Sequence, residues 1–130
     1  VHQSELFWER INNLEIFSNT KNTLVRIVIP PSKWINLMKY LDHSYKYYID
    51  WCGSLFWIEI SDMSEEKLLS IKNYITKLGG YLIVIKNSEN SVPLKDIFTI
   101  DETRLNISKK IKESFDPKGI FNPGKMYRSI

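Results

Sequence analysis

One cysteine, two histidines and no long apolar run define what this chain is not. Cys52 alone cannot close an internal disulfide, so a reducing, cytoplasmic setting is expected. Two distant histidines, His2 and His43, plus one cysteine are too few ligands for a zinc-type site, so no metal is expected. No window nears the eighteen or so apolar residues of a membrane-spanning helix, so no membrane insertion is expected. The first residues lack the basic and apolar regions of a secretory signal. The charge excess is small, +3, with carboxylates between the lysines. A dense basic face is missing, so no nucleic-acid partner is expected.

What is present is a chain of 130 residues, 43% hydrophobic, with 4 Trp, 7 Tyr and 6 Phe. That is enough for one domain with one core. SELFWERIN (4–12) reads as a helix capped by Ser4, with Leu6, Phe7, Trp8 and Ile11 apolar. TLVRIVI (23–29) is short and β-branched, hence a strand. Pro30-Pro31 ends it, and a helix runs from there to about Leu41 with Trp34, Leu37, Met38 and Leu41 on one face. Residues 45–51 alternate, placing Tyr45, Tyr47, Ile49 and Trp51 on one side. Cys52-Gly53-Ser54 turns the chain into a second strand, 55–60, making a hairpin. Asp62 or Ser64 caps a helix with stripe Leu68, Ile71, Ile75 and Leu78, ended by Gly79-Gly80. YLIVIK (81–86) is a strand. Residues 87–100 read as a polar loop, and the last helix spans about 102–115.

The order β-α-β-β-α-β over residues 23–86 predicts an α+β, ferredoxin-like (split βαβ) domain. It has an antiparallel sheet with two helices on one face, plus N- and C-terminal helices. Such a fold names no function.

The tail, FDPKGIFNPGKMY (115–127), is more particular. Asp-Pro-Lys-Gly fits a type I turn. Ile120 and Phe121 call for burial. Asn122-Pro123-Gly124-Lys125 makes a second turn, where glycine permits close approach and Lys125 carries charge. Two turns folding the tail back onto the domain would explain this without any ligand. The residue order, however, resembles the terminal signature of FAD-linked oxidases of the vanillyl-alcohol oxidase/p-cresol methylhydroxylase type. DWCGSLFWIEI (50–60) and TLVRIVIPPSKW (23–34) look like the FAD-binding subunit of glycolate oxidase, so the likeness runs from about Ser4 to Tyr127.

That resemblance implies a C-terminal cap domain over a flavin, with FAD held mainly by an N-terminal domain outside these 130 residues. Asn122, Pro123, Gly124 and Lys125 would be its flavin-side contacts. The implied partners are that FAD-binding domain, the catalytic and iron-sulfur subunits of a glycolate oxidase, and a small 2-hydroxy acid. The setting implied is cytoplasmic, or peripheral at the inner membrane face through partner subunits. The Glu-His-Gly segment of the larger relatives has no counterpart here, so catalytic residues are unknown and activity of the chain alone is not expected.

Three further residues are candidates for a substrate pocket. Arg26 sits mid-strand among apolar neighbours. It is either a snorkelling arginine on an exposed face or an anion-recognising one. Asp50 and Trp51 end a strand beside the hairpin turn. There they either brace the turn and pack in the core, or line the substrate side of the flavin. Cys52 has no activating neighbour in sequence, and His43 reads as an exposed or helix-capping residue. The lysines of SKKIKES (108–114) read as a solvated helix face. Two alternatives remain open: a stand-alone, non-catalytic ferredoxin-like binding domain, or the remnant of a split gene.

Overall fold

The computed structural model describes residues 2–42, 44–89, 94, 96–125 and 127. The helices are α1 (His2–Asn12), α2 (Trp34–Tyr40), α3 (Glu65–Lys77) and α4 (Glu102–Phe115). The strands are β1 (Thr23–Val28), β2 (Lys46–Asp50), β3 (Leu55–Ile60) and β4 (Tyr81–Lys86). The sheet order is β2-β3-β1-β4, antiparallel at every pairing. This is the expected ferredoxin-like arrangement. His43 lies outside the described residues, as do Pro93 and Met126.

Alternation along each strand decides the layers. Register places Ile49, Phe56, Ile27 and Leu82 in one row across the sheet. Phe56, Ile27 and Leu82 are fully buried, and Ile49 packs against the same core. Leu37 and Leu41 of the α2 region and Leu68, Ile71 and Ile75 of α3 join that core. Tyr40 and Tyr74 stack with centroids 3.9 Å apart, joining α2 to α3. Both helices therefore cover the same face. The opposite face carries the row Tyr48, Trp57, Arg26 and Ile83.

Local chemistry sets the boundaries. Ser64, not Asp62, caps α3: its Oγ accepts from Lys67 N at 3.1 Å. The helix closes with Gly79 N donating to Thr76 O (2.9 Å) and Gly80 N to Ile75 O (3.0 Å), a Schellman pair. Gly80 is held by space as well. A Cβ there would stand 2.3 Å from Val28 O and 2.5 Å from Ile29 Cγ2. Gly80→Ala is expected to cost about 1–3 kcal/mol in chemical denaturation. An unchanged midpoint would mean the chain after α3 does not press on the end of β1.

Several expectations are corrected. Ser4 lies inside α1, which already begins at His2, so it is no cap. The apolar Leu6, Phe7 and Trp8 of this helix are exposed. Trp34 is likewise exposed, because Pro31–Lys33 form a 3₁₀ turn and α2 starts only at Trp34. Residues 97–99 are not free loop. They flank β4, with Val84 N bonded to Ile97 O (2.8 Å), Thr99 N to Leu82 O (2.9 Å), and Phe98 bridging Ile83.

Candidate functional site

Two regions gather the candidate residues. The first is the sheet face that α2 and α3 leave open. Arg26 stands on it beside Trp57, its direct neighbour on β3. The guanidinium carbon is 5.6 Å from the Trp57 ring centroid and 5.5 Å from that of Trp51. Both distances suit cation–π contact. The Nε of Arg26 is buried and without a hydrogen-bond partner. A buried, unsatisfied donor on a charged group is costly, and the two indole rings over the guanidinium offset part of that cost.

Trp51 reaches Arg26 because the hairpin tip is strained. Strict alternation would send Trp51 to the side of Tyr47 and Ile49. Instead Trp51 (φ 49°) and Cys52 (φ 52°) adopt left-handed backbone. Non-glycine residues there cost of order 1–3 kcal/mol each, and the surroundings must hold them. Asp50 does so: its Oδ1 accepts from Trp51 N at 2.7 Å. Ser54 N closes the turn onto Trp51 O at 3.1 Å. Trp51 is consequently 56% exposed and outside the core. The Tyr48 phenol is raised above its usual range by partial burial, by the Asp50 charge and by its hydrogen bond to Asp50. Arg26, Asp50 and Trp51 thus meet in one cluster, and the structure adds Tyr48 and Trp57 to it. Alternation over 45–51 leaves Tyr48 opposite Tyr47 and Ile49, but nothing marked it or Trp57 as a neighbour of Arg26. Cys52 is an exposed, free thiol at the tip.

Over the Tyr48 end of this face lies a cleft of about 880 Å³. Its walls are Phe7 and Ile11 of α1, then Leu14 and Ile16, with Tyr48 beneath. Arg10 and Glu15 also line it and pair at 2.6 Å.

The second region is the tail. Helix α4 ends where Asp116 precedes Pro117, as proline sterics require. Asp116 then organises the turn beyond the helix. Its backbone oxygen accepts from Gly119 N (3.0 Å), closing the first turn. Its Oδ1 accepts from Ile120 N (2.9 Å) and its Oδ2 from Phe121 N (2.8 Å). Lys112 Nζ donates to the same carboxylate and to Phe121 O. The Asp116 side chain is only 6% exposed. Lys112 and these amides hold its carboxyl at about 2, against the smaller opposing effect of burial. Lys112 is therefore a structural cation, and the expectation that the lysines of 108–114 are merely a solvated face is corrected at this position. The sequence showed the Asp-Pro turn but not that its carboxylate would gather two amides.

Asn122, Pro123, Gly124 and Lys125 form the second turn, with Lys125 N donating to Asn122 O at 3.3 Å. Gly124 has φ 67° with nothing within 4 Å of a would-be Cβ. All four residues are exposed. Ile120 (66%) and Phe121 (69%) are exposed too, so the expected burial fails within this chain. Phe115 is 84% exposed, and Ile107 and Ile111 precede it at four-residue steps on α4. The half-buried α4 residues are instead Leu105, Ser108, Lys109 and Lys112. This helix turns its apolar stripe outward and a largely polar one inward. The second turn thus presents an open glycine, an amide and a cation to solvent.

Among the described residues no helix is long and apolar enough to cross a membrane, and no His/Cys/Asp/Glu group could hold a metal ion. Residues 98–126 match the family model for FAD linked oxidases, C-terminal domain. The match takes in α4 and both tail turns, and it supports a C-terminal domain of flavin-linked oxidases. No curated protein and no solved structure matches the chain.

Proposed function

We propose that this chain is the domain that closes over the flavin of an FAD-dependent 2-hydroxy-acid oxidoreductase, similar to the FAD-binding subunit of glycolate oxidase. The observation that carries this is the tail. A loop prefolded on Asp116, inside the stretch that matches the flavin-oxidase family, holds its apolar and polar groups out to solvent. An element ordered before it meets its partner loses little freedom on docking. In this reading the partner is the N-terminal FAD-binding domain, which covers Ile107, Ile111, Phe115, Ile120 and Phe121. Asn122 to Lys125 then face the flavin, where Lys125 stabilises negative charge on the ring or its phosphate chain. A bound flavin would supply the hydride acceptor for substrate oxidation, with an iron-sulfur partner as the class of electron acceptor. This chain's part is to shape the pocket: Arg26 pairs with the substrate carboxylate, and Asp50 holds Trp51 against it.

The test is reconstitution of the chain with its flavin domain, reading flavin absorbance per complex. Gly124→Val puts a branched side chain at φ 67°, at a cost that weakens flavin retention about tenfold. Equal flavin content in that variant would count against the turn as a flavin contact.

One observation favours the second reading, a stand-alone binding domain. The Arg26 cluster is complete within this chain and needs no flavin domain to form. Native mass of the polypeptide separates the two, since a free domain runs near 15.4 kDa.

A further inference from the structure

The open sheet face has a charged end at Arg26 and, at the Tyr48 end, a cleft whose apolar walls are joined by the mutually paired Arg10 and Glu15. Register sets Arg26 next to Trp57, and Trp57 next to Tyr48. Strand spacing of about 4.8 Å therefore puts Arg26 and Tyr48 about 10 Å apart. At the Tyr48 end, Phe7, Ile11 and Leu14 wall the cleft. Its volume falls within the range of small-molecule sites, roughly 300–1,000 Å³. At the other end, Arg26 keeps its buried Nε unpartnered. None of the ion pairs among the described residues involves it. Asp50, which braces Trp51 beside it, has its Oδ1 engaged by Trp51 N at 2.7 Å.

We infer that this face binds a carboxylate bearing a bulky apolar group, with the carboxylate on Arg26 and the aryl or long alkyl group in the cleft under α1. The site is far larger than a two-carbon acid. Aromatic rings flank the guanidinium on two sides, which limits its hydration and strengthens an ion pair formed there. The corresponding substrate class, a 2-hydroxy acid with a large apolar side chain, rests on the oxidoreductase reading above. The binding itself does not.

The experiment titrates the full 130-residue chain, without flavin, with 3-phenyllactate, lactate and 3-phenylpropanol. Intrinsic tryptophan fluorescence is the readout, because Trp51 and Trp57 flank Arg26. Phenyllactate should give a saturable change at least about tenfold tighter than lactate, and the uncharged alcohol should bind as weakly as lactate. Arg26→Met should remove the preference for the acid over the alcohol. Ile11→Asp, on the helix wall, should lower phenyllactate affinity about tenfold and leave lactate unchanged. Far-UV circular dichroism checks that each variant is folded. Equal affinity for the two acids, or an unaffected Arg26→Met, overturns the inference. Flavin reconstitution reads the other proposal separately. A chain that selects phenyllactate but never supports flavin retention overturns the oxidoreductase reading alone. One that supports flavin retention without that selectivity overturns the cleft alone.

Discussion

Phe56→Ala should cost about 3–5 kcal/mol of folding stability, a large part of the roughly 5–15 kcal/mol a domain of this size has. Phe56 is fully buried on β3, between Ile49 on β2 and Ile27 on β1. The helices above it are fixed by Leu37, Leu68 and Ile75, all in the same core. With strands bonded on both sides, the backbone cannot collapse into the space the ring leaves. The loss is therefore transfer free energy plus cavity. For a chain of this length it lowers the melting temperature by about 10–20 °C. Phe121→Ala removes the same ring where it is 69% exposed, and should stay within about 0.5 kcal/mol. Urea unfolding of both variants with unchanged m-value tests the pair. A loss under about 1 kcal/mol at Phe56, or a comparable loss at Phe121, would place the core elsewhere.

The contrast between those two phenylalanines is also the measure of how far sequence reaches. The strand that carries Phe56 was legible as the second arm of a hairpin, from its short apolar run after the Cys52-Gly53-Ser54 turn. The same logic gave β1, β3, β4, the α3 stripe and its glycine stop, each set by local propensity and one buried face. It failed where a residue's partner is remote or absent. Ile120 and Phe121 call for burial, yet the turn built on Asp116 leaves both in solvent. Trp51 breaks alternation because left-handed backbone at two non-glycine residues turns it over Arg26. No propensity scale foresees strain that the folded surroundings impose. Residues 97–99 join the sheet edge largely through backbone groups, with the Thr99 hydroxyl accepting from Leu82 N at 3.0 Å, which apolar patterning cannot register. Among the candidate residues, Arg26, Asp50 and Trp51 were legible as suspects one by one. Their meeting in space depended on strand register, which the sequence does not state.

The tail gives the sharpest titration. In wild type the amide signals of Ile120 and Phe121 should shift together with a midpoint near 2, reporting Asp116. An unfolded aspartate titrates near about 3.9. The folded value is depressed, so the carboxylate's contribution to loop order is complete above about pH 5. It is lost as pH falls through the folded value of about 2. Lys112 is the largest cause of the depression, so Lys112→Met should raise the midpoint toward the ordinary range while the two amide bonds persist. Asp116→Asn removes the charge outright. It leaves one oxygen where two amides and an ammonium converged. Its Ile120 and Phe121 amides should then exchange on the order of tenfold faster at pH 7, with no pH step down to about 2. Below that pH wild type and variant should converge. Residues of β1 and β3 should be unaffected in both, because Asp116 bonds only within α4 and the tail among the described residues. If Asp116→Asn leaves the tail amides as protected as in wild type, the loop is not built on this carboxylate. The prefolded tail that carries the flavin reading then loses its physical basis.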